Sequence, residues 1–274
     1  MNLDIIIILI VAGIIQGILE WLPVSSEAFV FLFFIFCGLS PSFALILAMA
    51  YHLPTGIAAI LFYRKEYNRI VRDFLAMNFS SITMYVVLAT ISTAIVAIPL
   101  YFVISSIVAQ IESIIEFAMN IILAMIGIAM VVTGIMVGRG MVYGDRKLSD
   151  VRVKDCFFIG AVQGLSILPG VSRSGVTIAA LIYRRYDEES CLNGSFILCG
   201  VASLGIFLFL AILGELSFDF ITSYVVVVSM FVAFIVSMVS MKALLTIARR
   251  MKYGSFLKFM GSIMLISSLI LIAI

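Results

Sequence analysis

The sequence predicts an all-α integral membrane protein built as an inverted repeat, each half a re-entrant helical hairpin followed by three transmembrane helices. Three observations predict it. Hydrophobic residues make up 64% of the 274 and charged residues only 12%, with a mean hydropathy of +1.27, so what remains cannot clothe a water-soluble surface. Of the 17 basic residues, 14 fall into four clusters separated by long apolar stretches. Two further apolar stretches, one in each half, are interrupted by the same short polar pattern.

Taken in order, residues 3–38 form the first hairpin, and apolar stretches near 43–63, 80–104 and 115–138 form three spans, each near the ~20 residues a bilayer requires. Repeat 1 thus covers about residues 1–138. A basic loop follows at 139–155. Residues 156–183 form the second hairpin, and stretches near 191–213, 221–247 and 255–274 complete repeat 2, about residues 156–274. The chain reads as one membrane domain with no soluble domain. No cleavable signal peptide is expected, because the first residues lack a basic segment ahead of the apolar run. The four cysteines, at 37, 156, 191 and 199, have no paired spacing and indicate neither a metal site nor a disulfide framework.

The hairpins are inferred from charge. Arg64, Lys65, Arg69 and Arg72 form the first basic cluster; Arg139, Arg146, Lys147, Arg152 and Lys154 the second; Arg184 and Arg185 the third; and Arg249, Arg250 and Lys252 the fourth. Connections 39–42, 105–114 and 214–220 contain no Lys or Arg and hold Glu112, Glu215 and Asp219. Lysine and arginine concentrate on the cytoplasmic side. With six alternating spans, all four clusters share that side only if 3–38 and 156–183 each dip in and return. Such broken backbone is tolerated at membrane depth where protein or a watery cavity satisfies it.

The two hairpins resemble each other. Gly13, Gln16, Gly17 and Ser25 recur as Gly160, Gln163, Gly164 and Ser172, an offset of 147, and Pro23 and Pro169 match with a displacement of one. In inverted repeats, interrupted segments at matching positions point to a site between the halves. Glu20, Glu27 and Arg173 lie inside otherwise apolar hairpins, where a charge is costly unless paired or watered. Ser25 and Ser26, like Ser172 and Ser174, stand where an apolar helix begins, so backbone N–H groups and the positive dipole end gather beside them. Gly170 and Gly175 allow close approach of the backbone, and Arg173 supplies a fork of donors matched to phosphate oxygens. Thr177 lies one turn on. The plainer alternatives are helix caps for the serines and a structural Glu–Arg pair. His52, the only histidine, sits in a Pro/Gly-weakened span as either a packing residue or a participant. These residues describe a membrane-embedded site for a phosphate anion attached to an apolar group, and no Walker loop, zinc signature or nucleic-acid motif is present.

At these motifs the sequence resembles the undecaprenyl diphosphate phosphatase family. The family's first signature, Glu/Gln-Gly-x-x-Glu-Phe-x-Pro-x-Ser-Ser-x-Gly-His, is similar to Gln16 through Phe29, and its second, Pro-Gly-x-Ser-Arg-Ser-Gly-x-Thr, is matched by Pro169, Gly170, Ser172, Arg173, Ser174, Gly175 and Thr177. The resemblance covers the whole chain. It implies a multi-pass plasma-membrane hydrolase that converts a polyprenyl diphosphate to the monophosphate. Glu20, Ser25, Ser26 and Arg173 would be catalytic, and Gln16, Gly170, Ser172, Ser174, Gly175 and Thr177 would bind substrate. A divalent cation on Glu20 is expected, magnesium first and calcium as the alternative. Expected partners are the lipid diphosphate, membrane lipids and a second copy of the chain as a homodimer, with no nucleic acid. The family's histidine is replaced by Phe29, so Glu27 and His52 are the candidates for its role. The rival expectation is a transporter or flippase of polyprenyl phosphate that uses the same site without hydrolysis.

Overall fold

In the computed structural model of the chain, the described residues are 3–22, 25–111, 143–168, 170–216 and 224–250. The spans expected at 115–138 and 255–274 lie outside them, as do Pro23, Pro169, Glu112, Arg139, Asp219 and Lys252. The described regular structure is helical, apart from one isolated bridge between Arg146 and Tyr186.

Helices α1 (Leu3–Leu19) and α2 (Ser26–Phe36) pack on each other, as do α7 (Val153–Gly164) and α8 (Arg173–Tyr183). With 11 residues each, α2 and α8 extend about 16 Å, half of the roughly 30 Å hydrocarbon core. Four helical stretches are long and apolar enough to cross a membrane: Pro41–Phe62, Ser81–Ile107, Glu188–Ile212 and Tyr224–Thr246. They coincide with four of the expected spans, and the protein is a membrane protein.

The first of these is broken. It consists of α3 (Pro41–Ala50) and α4 (His52–Phe62), with Tyr51 between them. Pro54 explains the break, since it has no N–H to donate to the Ala50 carbonyl and its ring collides with that group; within the first turn of a new helix neither matters. The first basic cluster, expected as a loop, is instead helix α5 (Arg64–Leu75), with Tyr67 and Ile70 buried and Arg64, Lys65, Arg69 and Arg72 exposed. Helix α6 (Ser81–Ile111) follows, and α9 (Glu188–Ile212) and α10 (Tyr224–Arg250) complete the described set.

Glycines in the hairpins bring helix backbones close together. Helix α1 lies on α10, and α7 lies on α6. A Cβ on Gly13 would be 2.5 Å from the Ser229 carbonyl oxygen, and one on Gly17 would be 2.7 Å from that of Ala233 and 2.9 Å from the Val236 Cβ. In the other half, a Cβ on Gly160 would be 2.2 Å from the Ala89 oxygen, and one on Gly164 would be 2.9 Å from that of Thr93 and 2.6 Å from the Val96 Cβ. Small residues permit this approach of backbones where no hydrophobic force holds helices together in lipid. Gly160→Ala is therefore expected to cost about 2 kcal/mol through overpacking against rigid backbone. The check is the thermal midpoint of the purified protein in detergent; an unchanged midpoint would mean that α6 and α7 separate freely.

Between the halves, Asp155 anchors the basic loop. Arg146 Nη2 and the Tyr186 hydroxyl donate to its Oδ2 at 2.6 and 2.9 Å, and Arg184 Nε donates to its Oδ1 at 2.5 Å. Burial pushes this carboxyl up, but the hydrogen bonds from Arg146, Tyr186 and Arg184 outweigh it and hold the pKa at about 2.

Candidate active site

The turns of the two hairpins meet. Ser25 caps α2, its Oγ accepting from Ala28 N at 3.3 Å, and the same oxygen accepts from Gly170 N in the other hairpin at 3.2 Å. Gly170 adopts φ 96°, a left-handed conformation that glycine reaches without strain. Ser172 caps α8 by accepting from Gly175 N at 3.2 Å, and Ser174 donates to the Leu22 carbonyl at 2.8 Å. Trp21, fully buried, fixes the first turn by donating to the Ser237 carbonyl and hydroxyl at 3.0 and 3.1 Å. The N-termini of α2 and α8 thereby open on one cleft, whose lining includes Glu20, Ser26, Glu27, His52, Arg173 and Ser174.

Glu20 is the hub of this cleft. Its Oε1 receives Arg173 Nη2 at 2.5 Å and lies 3.8 Å from the Cys199 thiol. Its Oε2 receives Gln16 Nε2 and the Ser26 hydroxyl, both at 2.7 Å, and lies 3.2 Å from His52 Nδ1. His52 is held between two carboxylates, because its Nε2 is 3.4 Å from Glu27 Oε2. The break before α4 makes this placement, setting His52 at the first position of the new helix. A buried Arg–Glu pair gains little net stability, since desolvation offsets most of the attraction. Its presence in an apolar hairpin calls for a functional account. Two buried atoms of the cleft residues support one, Arg173 Nε and Glu27 Oε1, neither of which has a hydrogen-bond partner. A donor and an acceptor left unpaired are costly unless a ligand or water meets them.

The residues singled out from sequence separate into groups. Gln16, Glu20, Ser26, Glu27, His52 and Arg173 converge. Ser25, Gly170, Ser172 and Gly175 are joined to one another or to backbone at the hairpin tips, and Thr177 donates to the Arg173 carbonyl one turn back. Gln163, the repeat partner of Gln16, points elsewhere and donates to Thr93 Oγ1 at 3.1 Å. Phe29, in the position of the family's histidine, packs in the apolar cluster of α2 and α3 and does not line the cleft. Sequence reasoning missed Cys199 and Ser203 on α9. The available signal was the run Ser195, Cys199 and Ser203, one polar or small residue per turn on one face of an apolar span.

The family profile described as bacitracin resistance protein BacA matches residues 9–265. The chain is 33% identical over 259 residues to a protein of Methanopyrus kandleri named undecaprenyl-diphosphatase, covering 94% of both chains. It is 32% identical over 274 residues to one of that name from Haloarcula marismortui, covering 97% of this chain and 98% of the relative. A third of that name, from Sulfurisphaera tokodaii, is 28% identical over 281 residues and is covered, like this chain, to 99%.

Proposed function

The chain belongs to the bacitracin resistance protein BacA family, and from that premise we propose that it is a membrane-embedded phosphatase hydrolysing an undecaprenyl-type lipid diphosphate to the monophosphate and phosphate. The observation that carries this reading is the convergence in one cleft of a guanidinium, two carboxylates, an imidazole and a hydroxyl, with Arg173 Nε and Glu27 Oε1 left unpaired. The rival transporter reading is not favoured, because the relatives are named for cleaving a diphosphate.

Arg173 and the N–H groups opening α2 and α8 hold the terminal phosphate. Ser26, rather than Ser25, is the attacking hydroxyl. Its Oγ already donates to Glu20 Oε2 at 2.7 Å, the nucleophile–base relation that activates a hydroxyl, whereas the Ser25 oxygen accepts from two backbone N–H groups. Attack on the terminal phosphorus passes the Ser26 proton to Glu20 and breaks the bond to the bridging oxygen, which leaves on the lipid monophosphate. Water then releases phosphate from the serine. The transition state is loose, so a weak base suffices. His52 keeps Glu20 in place from one side and Gln16 from another.

For a divalent cation, Glu20 is a poorer host than the sequence suggested, because both its oxygens are engaged. Among the described residues no three His, Cys, Asp or Glu side chains are grouped to hold an ion. Glu27, through its unpaired oxygen, would hold magnesium together with phosphate oxygens, the arrangement that ion favours. When bound, it would neutralise charge on the diphosphate.

The plasma membrane and an inverted repeat with six spans are part of the same proposal. The paired glycine contacts support the repeat: Gly13 and Gly17 meet Ser229, Ala233 and Val236, while their counterparts Gly160 and Gly164 meet Ala89, Thr93 and Val96, which precede those residues at one constant spacing. The test of the function is phosphate release from undecaprenyl diphosphate by the purified protein, with and without magnesium. Release is expected. Its absence across the pH range, or movement of the lipid across proteoliposomes without cleavage, would overturn the reading.

A further inference from the structure

The cleft continues sideways into a second cavity. Ile206 on α9 lines the polar cleft and also an apolar groove between α6 and α9. On the turn between α7 and α8, Ser166 faces the cleft and the next residue, Ile167, faces the groove. The groove walls are formed by Ala97 and Tyr101 on α6 and by Gly205 and Phe209 on α9. Gly205 keeps it wide, for a Cβ there would meet nothing within 4 Å.

Resting on the diphosphatase reading, we propose that this groove seats the isoprenoid chain of the bound substrate beyond its first five-carbon unit, which reaches only to Ile206. A phosphate held by Arg173 lies in a cleft whose other residues are largely polar. The carbon chain leaves it where the lining turns apolar, at Ile206, and runs between α6 and α9 toward lipid. A methyl-branched chain needs more width than a straight one, and the missing side chain at position 205 provides it. A ligand site of this kind is mostly apolar with a few placed polar groups at one end. The chain then contributes to recognition in proportion to the apolar surface it buries, so the groove converts chain length into affinity.

The experiment compares prenyl diphosphates of five carbons and of undecaprenyl length in the parent and in Gly205→Leu. Leucine is a better helix former than glycine, and it projects into open space, so the fold should tolerate it; Ala97→Leu on the facing wall is the second variant. The parent is expected to favour the long substrate in kcat/KM by about a hundredfold or more, and the variants to lose about tenfold of that preference through the KM of the long substrate. An unchanged preference in both variants, or an equal loss on both substrates, would overturn the assignment and leave the groove to a membrane lipid. If the parent cleaves neither substrate, the diphosphatase reading fails instead. The groove is then judged by binding of the long diphosphate, weaker by about tenfold in Gly205→Leu if the chain lies there and unchanged if it does not.

Discussion

Arg173→Ala is expected to lower phosphate release from the lipid diphosphate about a thousandfold, equivalent to roughly 4 kcal/mol of transition-state stabilisation. The guanidinium sits at the first turn of α8 with one arm on Glu20 and Nε unpaired, so it can meet phosphate oxygens while staying anchored. In a dry site such a fixed charge acts with little reorganisation. Arg173→Lys keeps the charge and loses the fork, and is expected to lose about tenfold to a hundredfold. The ambiguity is folding, because truncation leaves Glu20 Oε1 buried without its cation, at a cost of about 3–5 kcal/mol. The double substitution Glu20→Gln with Arg173→Leu separates the two effects. It should recover the thermal midpoint without recovering turnover. Arg173→Ala retaining more than a tenth of the parent rate under saturating substrate would remove the arginine from the chemistry.

The roles of these residues were unequally legible in the sequence. Charge inside an apolar hairpin is conspicuous, so Glu20, Glu27 and Arg173 could be found from composition and spacing alone. Serines at helix starts could also be found, but not sorted. Ser25 and Ser26 are adjacent, and only the pitch of the first turn of α2 sends one oxygen to backbone N–H groups and the other to a carboxylate. The repeat itself misleads at Gln16 and Gln163. Identical residues in matching motifs face different neighbours, because α1 lies on α10 with α4 within reach, whereas α7 lies on α6 and finds Thr93. His52 was legible only as a histidine near a proline. That Pro54 would end one helix at Ala50 and start another at His52 follows from its missing N–H, but where the new helix points is a matter of tertiary packing. The helicity of α5 is hidden by its charge, which sets an expected side of the membrane without saying whether the segment is coiled or helical.

Ser26→Ala is expected to reduce turnover by about a thousandfold or more, the scale seen when a nucleophile is removed from a group acting as a unit. Ser25→Ala is expected to act on stability instead, by about 1 kcal/mol for the lost cap, with turnover within about tenfold of the parent. The contrast is informative because the two hydroxyls share one turn and one cleft. A merely electrostatic cleft would treat them alike. His52→Gln probes the support behind Ser26: it removes the group 3.2 Å from Glu20 Oε2 while leaving Gln16 and Arg173 on that carboxylate. Gln16, Ser26, Arg173 and the Cys199 thiol remain as donors to Glu20, so the expected loss is about tenfold in kcat with KM unchanged. Acid quench followed by mass spectrometry should find a phosphate on Ser26 in the parent, and none there in Ser26→Ala. If Ser26→Ala turns over near the parent rate and no phosphorylated serine accumulates, the attacking group is water. Glu20 would then act on that water, with the Ser26 hydroxyl only directing it.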